Sequence, residues 1–248
     1  MEEITSVNNN LVKETTKLLQ KKYRDESNKF ILEGFKSIEE AFIAGLNIEH
    51  IFVNLKSANK YEFCKSKVIL TSEAVLKKIS AAETAPEAVA VAKQIHYSFN
   101  NLKNSNKLIL LEDIKDLGNL GTIIRTASAF GIDGIILYGD CADIYNPKCV
   151  RAAVGNLWKL PIVYSKNFMD LKDNFKDFHK IATLPTAKVL LKDFKINDKT
   201  IVMFGSEANG LSDELINFAT ESIKIEMKDN VESLNLAVSC AIIMYKMI

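Results

Sequence analysis

The sequence predicts an α/β protein in two parts, and three observations carry that expectation. Helix-spaced and strand-like apolar runs alternate along the 248 residues. A polar stretch, Ser98-Phe-Asn-Asn-Leu-Lys-Asn-Ser-Asn-Lys107, breaks the alternation with four Asn and two Ser in no period, as a linker does. Beyond it the strand-like runs are almost continuously apolar, the pattern of a parallel sheet covered on both faces. Composition agrees: 48% of residues are hydrophobic, 25% are charged, and Gly and Pro number only 10 and 4, which excludes collagen-like, low-complexity and largely disordered chains. The expected division is a small α/β domain over 1–97, a linker over 98–107 and a second domain over 108–248.

In chain order, residues 11–23 read as one charged amphipathic helix, and 29–33 as a short strand closed by Gly34. Residues 35–44 put Phe35, Ile38, Phe42 and Ile43 at helical spacing and stop at Gly45, a residue suited to a helix C-terminus. Strands follow at 50–54, 67–71 and 89–93, with a helix at 72–79 between the last two, which completes a small α/β domain. In the second half, strands are expected at 108–111, 134–138, 181–184, 201–204 and 223–227.

Charge and cysteines narrow the class. Lys and Arg number 32 against 31 Asp and Glu, a net charge of +1, so the chain is no polycation built to coat nucleic acid, although a local basic patch is open to it. No apolar run approaches the ~18 residues of a membrane span, and the start, MEEITSVNNN, lacks the order of a signal peptide. Cys64, Cys141, Cys149 and Cys240 form no C-x-x-C pair and read as free thiols of a reducing, cytoplasmic compartment. His50, His96 and His179 share no metal-ligand spacing, so no metal site is expected.

Three stretches concentrate the polar chemistry. In 111–131 a strand turns through Gly118 and Asn119 into a helix, with Asn119 as its expected N-cap. Leu120, Ile123, Ile124, Ala127 and Phe130 form its apolar stripe, with Arg125 on the opposite face. Gly118-x-x-Gly121 is not the dinucleotide fingerprint, which removes a nucleotide-dependent oxidoreductase. Taken alone, Asn119 is a cap and Arg125 a solvated side chain. In 201–215 an apolar strand ends at Gly205 and sets Glu207 at the carboxyl edge where open α/β sheets collect ligands, although taken alone it reads equally as an ordinary loop carboxylate; Ser212 opens the next helix. In 223–248 Ser233 and Asn235 open a terminal helix that is apolar on almost every side and needs burial, with a second subunit one way to supply it.

Those stretches, in that order, resemble the three motifs of the SpoU (TrmH) branch of the SPOUT methyltransferases: Asp116-x-Gly-Asn-x-Gly-x-x-x-Arg125, Gly205-x-Glu-x-x-Gly-Leu-Ser212 and Glu232-Ser-Leu-Asn235. Asn146-Pro-Lys-Cys-Val-Arg-Ala-Ala-Val-Gly155 and Leu160-Pro161 are similar to the family's linking segment, and 4–95 resembles the small substrate-binding domain that precedes many members. Leu117 and Glu226 stand where the family commonly has Pro, and Lys228-Asp-Asn230 lacks its usual Gly.

The resemblance implies a parallel-sheet SPOUT-type domain with a trefoil knot, and S-adenosylmethionine-dependent methylation of an RNA ribose 2′-hydroxyl, with ribosomal RNA the favoured substrate. A tRNA substrate and a non-catalytic RNA-binding or ribosome-assembly role are the alternatives. By the same carry-over Gly205, Ile225 and Leu234 line the cofactor site, while Asn119, Arg125, Glu207, Ser233 and Asn235 form the polar catalytic set. Arg125 is the family's proposed base; an arginine stays protonated in a protein, so a grip on RNA phosphate is the other role open to it. Lys13, Lys17, Lys21 and Arg24, at helical spacing, are either a solvated face or an RNA contact. A homodimer through the C-terminal domain is expected.

Overall fold

The computed structural model describes residues 2–197, 199–228 and 233–248. Their contacts divide the chain into two compact units, Met1–Ile95 with Asp143–Trp158, and His96–Ala142 with Lys159–Ile248. Among the described residues no helix is long and apolar enough to cross a membrane.

The first unit runs β1 (Glu2–Ile4), α1 (Asn10–Lys17), α2 (Lys21–Ser27), β2 (Lys29–Glu33), α3 (Phe35–Ile43), β3 (Ile48–Asn54), β4 (Val68–Thr71), α4 (Glu73–Ile79) and β5 (Ala88–Lys93). Its five strands lie in the order β1-β4-β3-β5-β2. β1, β4 and β3 are mutually parallel, while β5 runs antiparallel to both β3 and β2. Ile31, Phe52, Ile69, Val89 and Val91 pack beneath Val12, Val75, Leu76 and Ile79 of α1 and α4.

The single helix expected over 11–23 is two helices. Leu18 folds into the core, Gln20 is extended, and α2 starts afresh. The expected cationic face is thereby broken. Arg24 is buried, donating from Nη1 to the Leu18 carbonyl at 2.8 Å and from Nη2 to Asp143 at 2.6 Å. Lys17 pairs with Glu14 and Lys21 with Asp25. Arg24 is therefore a packing residue and not an RNA contact.

The second unit begins with the polar stretch near 100, where Ser98 and Asn101 form a capping box and Leu102 is buried in the core. It continues through β6 (Lys107–Glu112), α5 (Leu117–Ala129) and β7 (Gly134–Tyr138). α6 (Pro147–Ala153) lies in the segment that belongs with the first unit. Then follow β8 (Ile162–Ser165), α7 (Phe168–Asn174), β9 (His179–Thr183), β10 (Val189–Leu190), β11 (Thr200–Phe204), α8 (Asp213–Phe218), β12 (Glu221–Lys224) and α9 (Leu236–Lys246). All seven strands are parallel, in the order β10-β12-β9-β11-β6-β7-β8.

Both sheet faces are covered, as the continuous apolar runs require. Leu108, Leu110 and Ile136 pack with Leu171 of α7, Phe175 at its C-cap and Leu215 of α8, and the alternate row Ile109, Leu111, Ile135 and Leu137 is fully buried as well. The strand order reverses between β6 and β11: β7 and β8 build outward on one side, β9 and β12 on the other. Ligands of open α/β sheets bind at the carboxyl ends beside such a switch.

α9 is only partly covered. Leu236, Ala237, Cys240, Ile243 and Met244 are buried, whereas Val238, Ile242 and Tyr245 remain exposed.

Candidate active site

The connections that leave β6 and β11 meet at the switch point. Asp116, not Asn119, caps α5: its Oδ1 accepts from the Asn119 main-chain N–H at 2.7 Å. The helix therefore starts earlier than expected, and the Asn119 side chain, no longer needed as a cap, faces the neighbouring loop. Its Nδ2 donates to Glu207 Oε1 at 2.6 Å, and its Oδ1 accepts from Asn235 Nδ2 at 3.0 Å. Asn235 in turn caps α9, accepting the Val238 N–H on its own Oδ1 at 3.3 Å. A carboxylate only accepts, so Glu207 fixes both amide orientations. Every donor in the chain from Val238 through Asn235 and Asn119 then points toward Glu207.

Beside this chain lies a cavity of about 760 Å³. Of the expected residues, Gly205, Glu207, Ile225, Ser233, Leu234 and Asn235 line it, and Asn119 reaches it through its two bonds. Asp229, Asn230 and Glu232 lie outside the described residues. Arg125 does not line the cavity; it is exposed, and its guanidinium has no hydrogen-bond or ion-pair partner among the described residues. Six expected residues thus meet on one cavity with Asn119 bonded at its edge, and Arg125 stands apart.

The expected strand over 223–227 ends at Lys224, which frees Ile225 and its successors to form a wall of the cavity. Thr183, Leu190, Ser239 and Ile243 also line it and carried no sequence signal beyond lying at strand ends or on an apolar helix. Glu226, in place of the family's usual Pro, lines it too and pairs with Lys192 at 2.7 Å. Under the site, burial raises the Cys240 thiol well above its usual range, and Glu207 adds to the shift. Burial likewise pushes the Cys64 and Cys141 thiols up to about 11. Among the described residues, no three His, Cys, Asp or Glu side chains gather as metal ligands would.

The cavity suits a nucleoside cofactor. Its size falls in the roughly 300–1,000 Å³ range of such sites, Leu184, Leu190, Ile223 and Leu234 offer apolar walls, and Ser206, Glu207, Ser233 and Asn235 add hydroxyl, carboxylate and amide groups to the lining. Loop 205–210 doubles back so tightly that a Cβ on Gly205 would fall 1.9 Å from the Gly210 carbonyl carbon. Main chain therefore forms that wall.

Comparison with known proteins gives the same picture. Residues 106–245 match the SpoU rRNA Methylase family, and residues 9–90 match the MRM3-like substrate binding domain. An uncharacterised tRNA/rRNA methyltransferase of Synechocystis sp. is 31% identical over 98% of this chain and 92% of its own. The 23S rRNA (guanosine(2553)-2′-O)-methyltransferase RlmP of Bacillus subtilis is 28% identical over 99% and 98%. Among solved structures, an AdoMet-bound rRNA methyltransferase from Sinorhizobium meliloti superposes with a TM-score of 0.90 at 28% identity, covering 99% of this chain and 96% of the other.

Proposed function

The chain belongs to the SpoU rRNA Methylase family, and from that premise we propose that it transfers the methyl group of S-adenosylmethionine to a ribose 2′-hydroxyl of ribosomal RNA. The observation that carries the reading is the convergence of Asn119, Glu207 and Asn235 at the edge of one nucleoside-sized cavity at the sheet's switch point.

S-adenosylmethionine, when bound, supplies an electrophilic methyl group. Gly205, Ile225 and Leu234, which line the cavity, would hold it, largely through main chain. Glu207, locked by Asn119, keeps one carboxylate oxygen directed at the incoming hydroxyl, and Ser233 and Asn235 complete the polar edge. Holding donor and acceptor in line in a water-poor pocket contributes on the order of 7–11 kcal/mol to such reactions. Arg125 grips the phosphate beside the target ribose with its planar fork. Selection of a 2′-hydroxyl makes the substrate RNA and not DNA.

The first ninety-odd residues serve as the RNA-binding domain, and the C-terminal domain carries the trefoil knot and forms a homodimer. The exposed row Val238, Ile242 and Tyr245 supports that dimer. The compartment is cytoplasmic, in keeping with four free cysteines, three of them buried.

Calorimetric titration with S-adenosylmethionine and mapping of 2′-O-methyl groups in RNA from cells with and without the protein test the whole reading. One ribosomal RNA ribose should lose its methyl group in the deficient cells. A lost tRNA methyl would move the substrate to tRNA, and absence of cofactor binding would leave only an RNA-binding role.

A further inference from the structure

The loop that carries Glu207 is anchored from outside the cavity. Its first end leaves β11 at Phe204, which pairs in register with Leu111 of β6. Its second end returns to the next residue of β6: Glu112, only 6% exposed, accepts the Ser212 N–H on Oε2 at 2.7 Å. Ser212 is the N-cap of α8. Tyr138, the register partner of Glu112 on β7, donates its hydroxyl to Glu214 in the same first turn at 2.8 Å. Burial and the carboxylates of Glu214 and Glu112 raise that hydroxyl above the usual phenol range, so it remains a donor.

Between these anchors there is no slack. Gly210 N–H bonds back to the Ser206 carbonyl at 2.9 Å, and Gly205 abuts Gly210. The end of β6 and the start of α5 thus grip the β11–α8 connection twice, at Ser212 through Glu112 and at Glu207 through Asn119. Neither Glu112 nor Tyr138 lines the cavity, so both act on it only through the loop.

We propose that Glu112, supported by Tyr138, is a positioning residue for the methyl-transfer site: it sets the height of loop 205–211, and with it the cavity wall and the Glu207 carboxylate. This rests on the methyltransferase reading above. A buried carboxylate facing a main-chain N–H forms a charge-assisted bond whose loss is felt by whatever it holds.

The test compares Glu112→Ala, Glu112→Gln and Tyr138→Phe with the unaltered protein. In the absence of cofactor, hydrogen exchange at the Gly210 amide and across 206–211 should accelerate about tenfold in Glu112→Ala, from loss of a charge-assisted bond. Exchange in the strands should not change. With S-adenosylmethionine and RNA, Glu112→Ala should bind cofactor about tenfold more weakly and lose kcat while the KM for RNA holds. Glu112→Gln keeps an acceptor for Ser212 and should recover most of both losses; Tyr138→Phe should shift them in the same direction by less.

Unchanged exchange at 206–211 in a folded Glu112→Ala protein would overturn the proposal. So would a Gln variant no better than Ala. Should Glu112→Ala fail to fold, Tyr138→Phe decides: loop exchange and kcat equal to the unaltered protein overturn it. Failure of the unaltered protein to bind S-adenosylmethionine would instead overturn the methyltransferase reading, and the cofactor-free exchange comparison would still decide whether Glu112 holds the loop.

Discussion

Arg125 lies on α5 six residues beyond Asn119, outside the cavity, with no partner among the described residues to occupy its guanidinium. A permanently charged, planar donor in that state suits an anion delivered by the substrate. Arg125→Ala should therefore abolish methyl transfer while cofactor affinity, read by calorimetry, stays within a few-fold. Arg125→Lys should be severely impaired too, since a point charge cannot reproduce two parallel hydrogen bonds. A lysine variant with near-normal turnover would rule out the fork. At this scale the sequence was partly legible. The apolar strand that ends just before Gly205 puts Glu207 at the ligand edge, but only the three motifs together lift it above an ordinary loop carboxylate. Asn119 was visible as a polar residue at a helix start, but its job was not. Asp116 and Asn119 both have capping side chains, and only the backbone decides which one caps. Once Asp116 takes the role, Asn119 sits in the helix's first turn and its amide turns to Glu207.

Elements were easiest to place where burial is uniform. The central strands of the parallel sheet announce themselves as continuous apolar runs, and β6, β7 and β11 fall where or almost where those runs predict. Short edge strands do not: β1 spans only Glu2–Ile4 and β10 only Val189–Leu190, too few residues to show a period. The break between α1 and α2 was hidden as well, because lysine spacing stays helical through Leu18–Gln20 even though the backbone does not. Loop 205–210 gives the sharpest prediction at this scale. A methyl group on Gly205 would lie 1.9 Å from the Gly210 carbonyl carbon and 2.1 Å from its oxygen, and main chain cannot swing aside as a side chain can. Gly205→Ala should open the loop, weaken cofactor binding at least about tenfold and lower the melting temperature, since close packing leaves no room for an added carbon. Binding by calorimetry and melting by circular dichroism would both have to be unchanged to refute this.

At the scale of the whole molecule, sequence order conceals who packs with whom. Asp143–Trp158 follows β7 in the chain yet belongs with the first unit, where Tyr145 bonds Ile95, Arg24 pairs with Asp143 and Arg151 with Glu33. No local period encodes such a return. The apolar terminal helix, by contrast, carried a message that the fold of one chain leaves unfinished. Val238, Ile242 and Tyr245 recur at helical spacing and are 47%, 38% and 67% exposed, with Ile248 at 63% just beyond them. Exposed apolar side chains in a row along one helix face suit association, and a self-complementary patch pairs most simply about a two-fold axis. Ultracentrifugation should give about twice the chain mass at micromolar concentration. Ile242→Asp puts an unpaired charge into that row without touching the core, and should yield a folded monomer with depressed methyl transfer. Ile243→Asp is the control: Ile243 is only 2% exposed and lines the cavity, so its loss should lower the melting temperature and cofactor binding whatever the oligomeric state. An Ile242→Asp protein that remains a dimer would show that this row is not the interface. A wild-type monomer fully active at nanomolar concentration would show that no partner is needed.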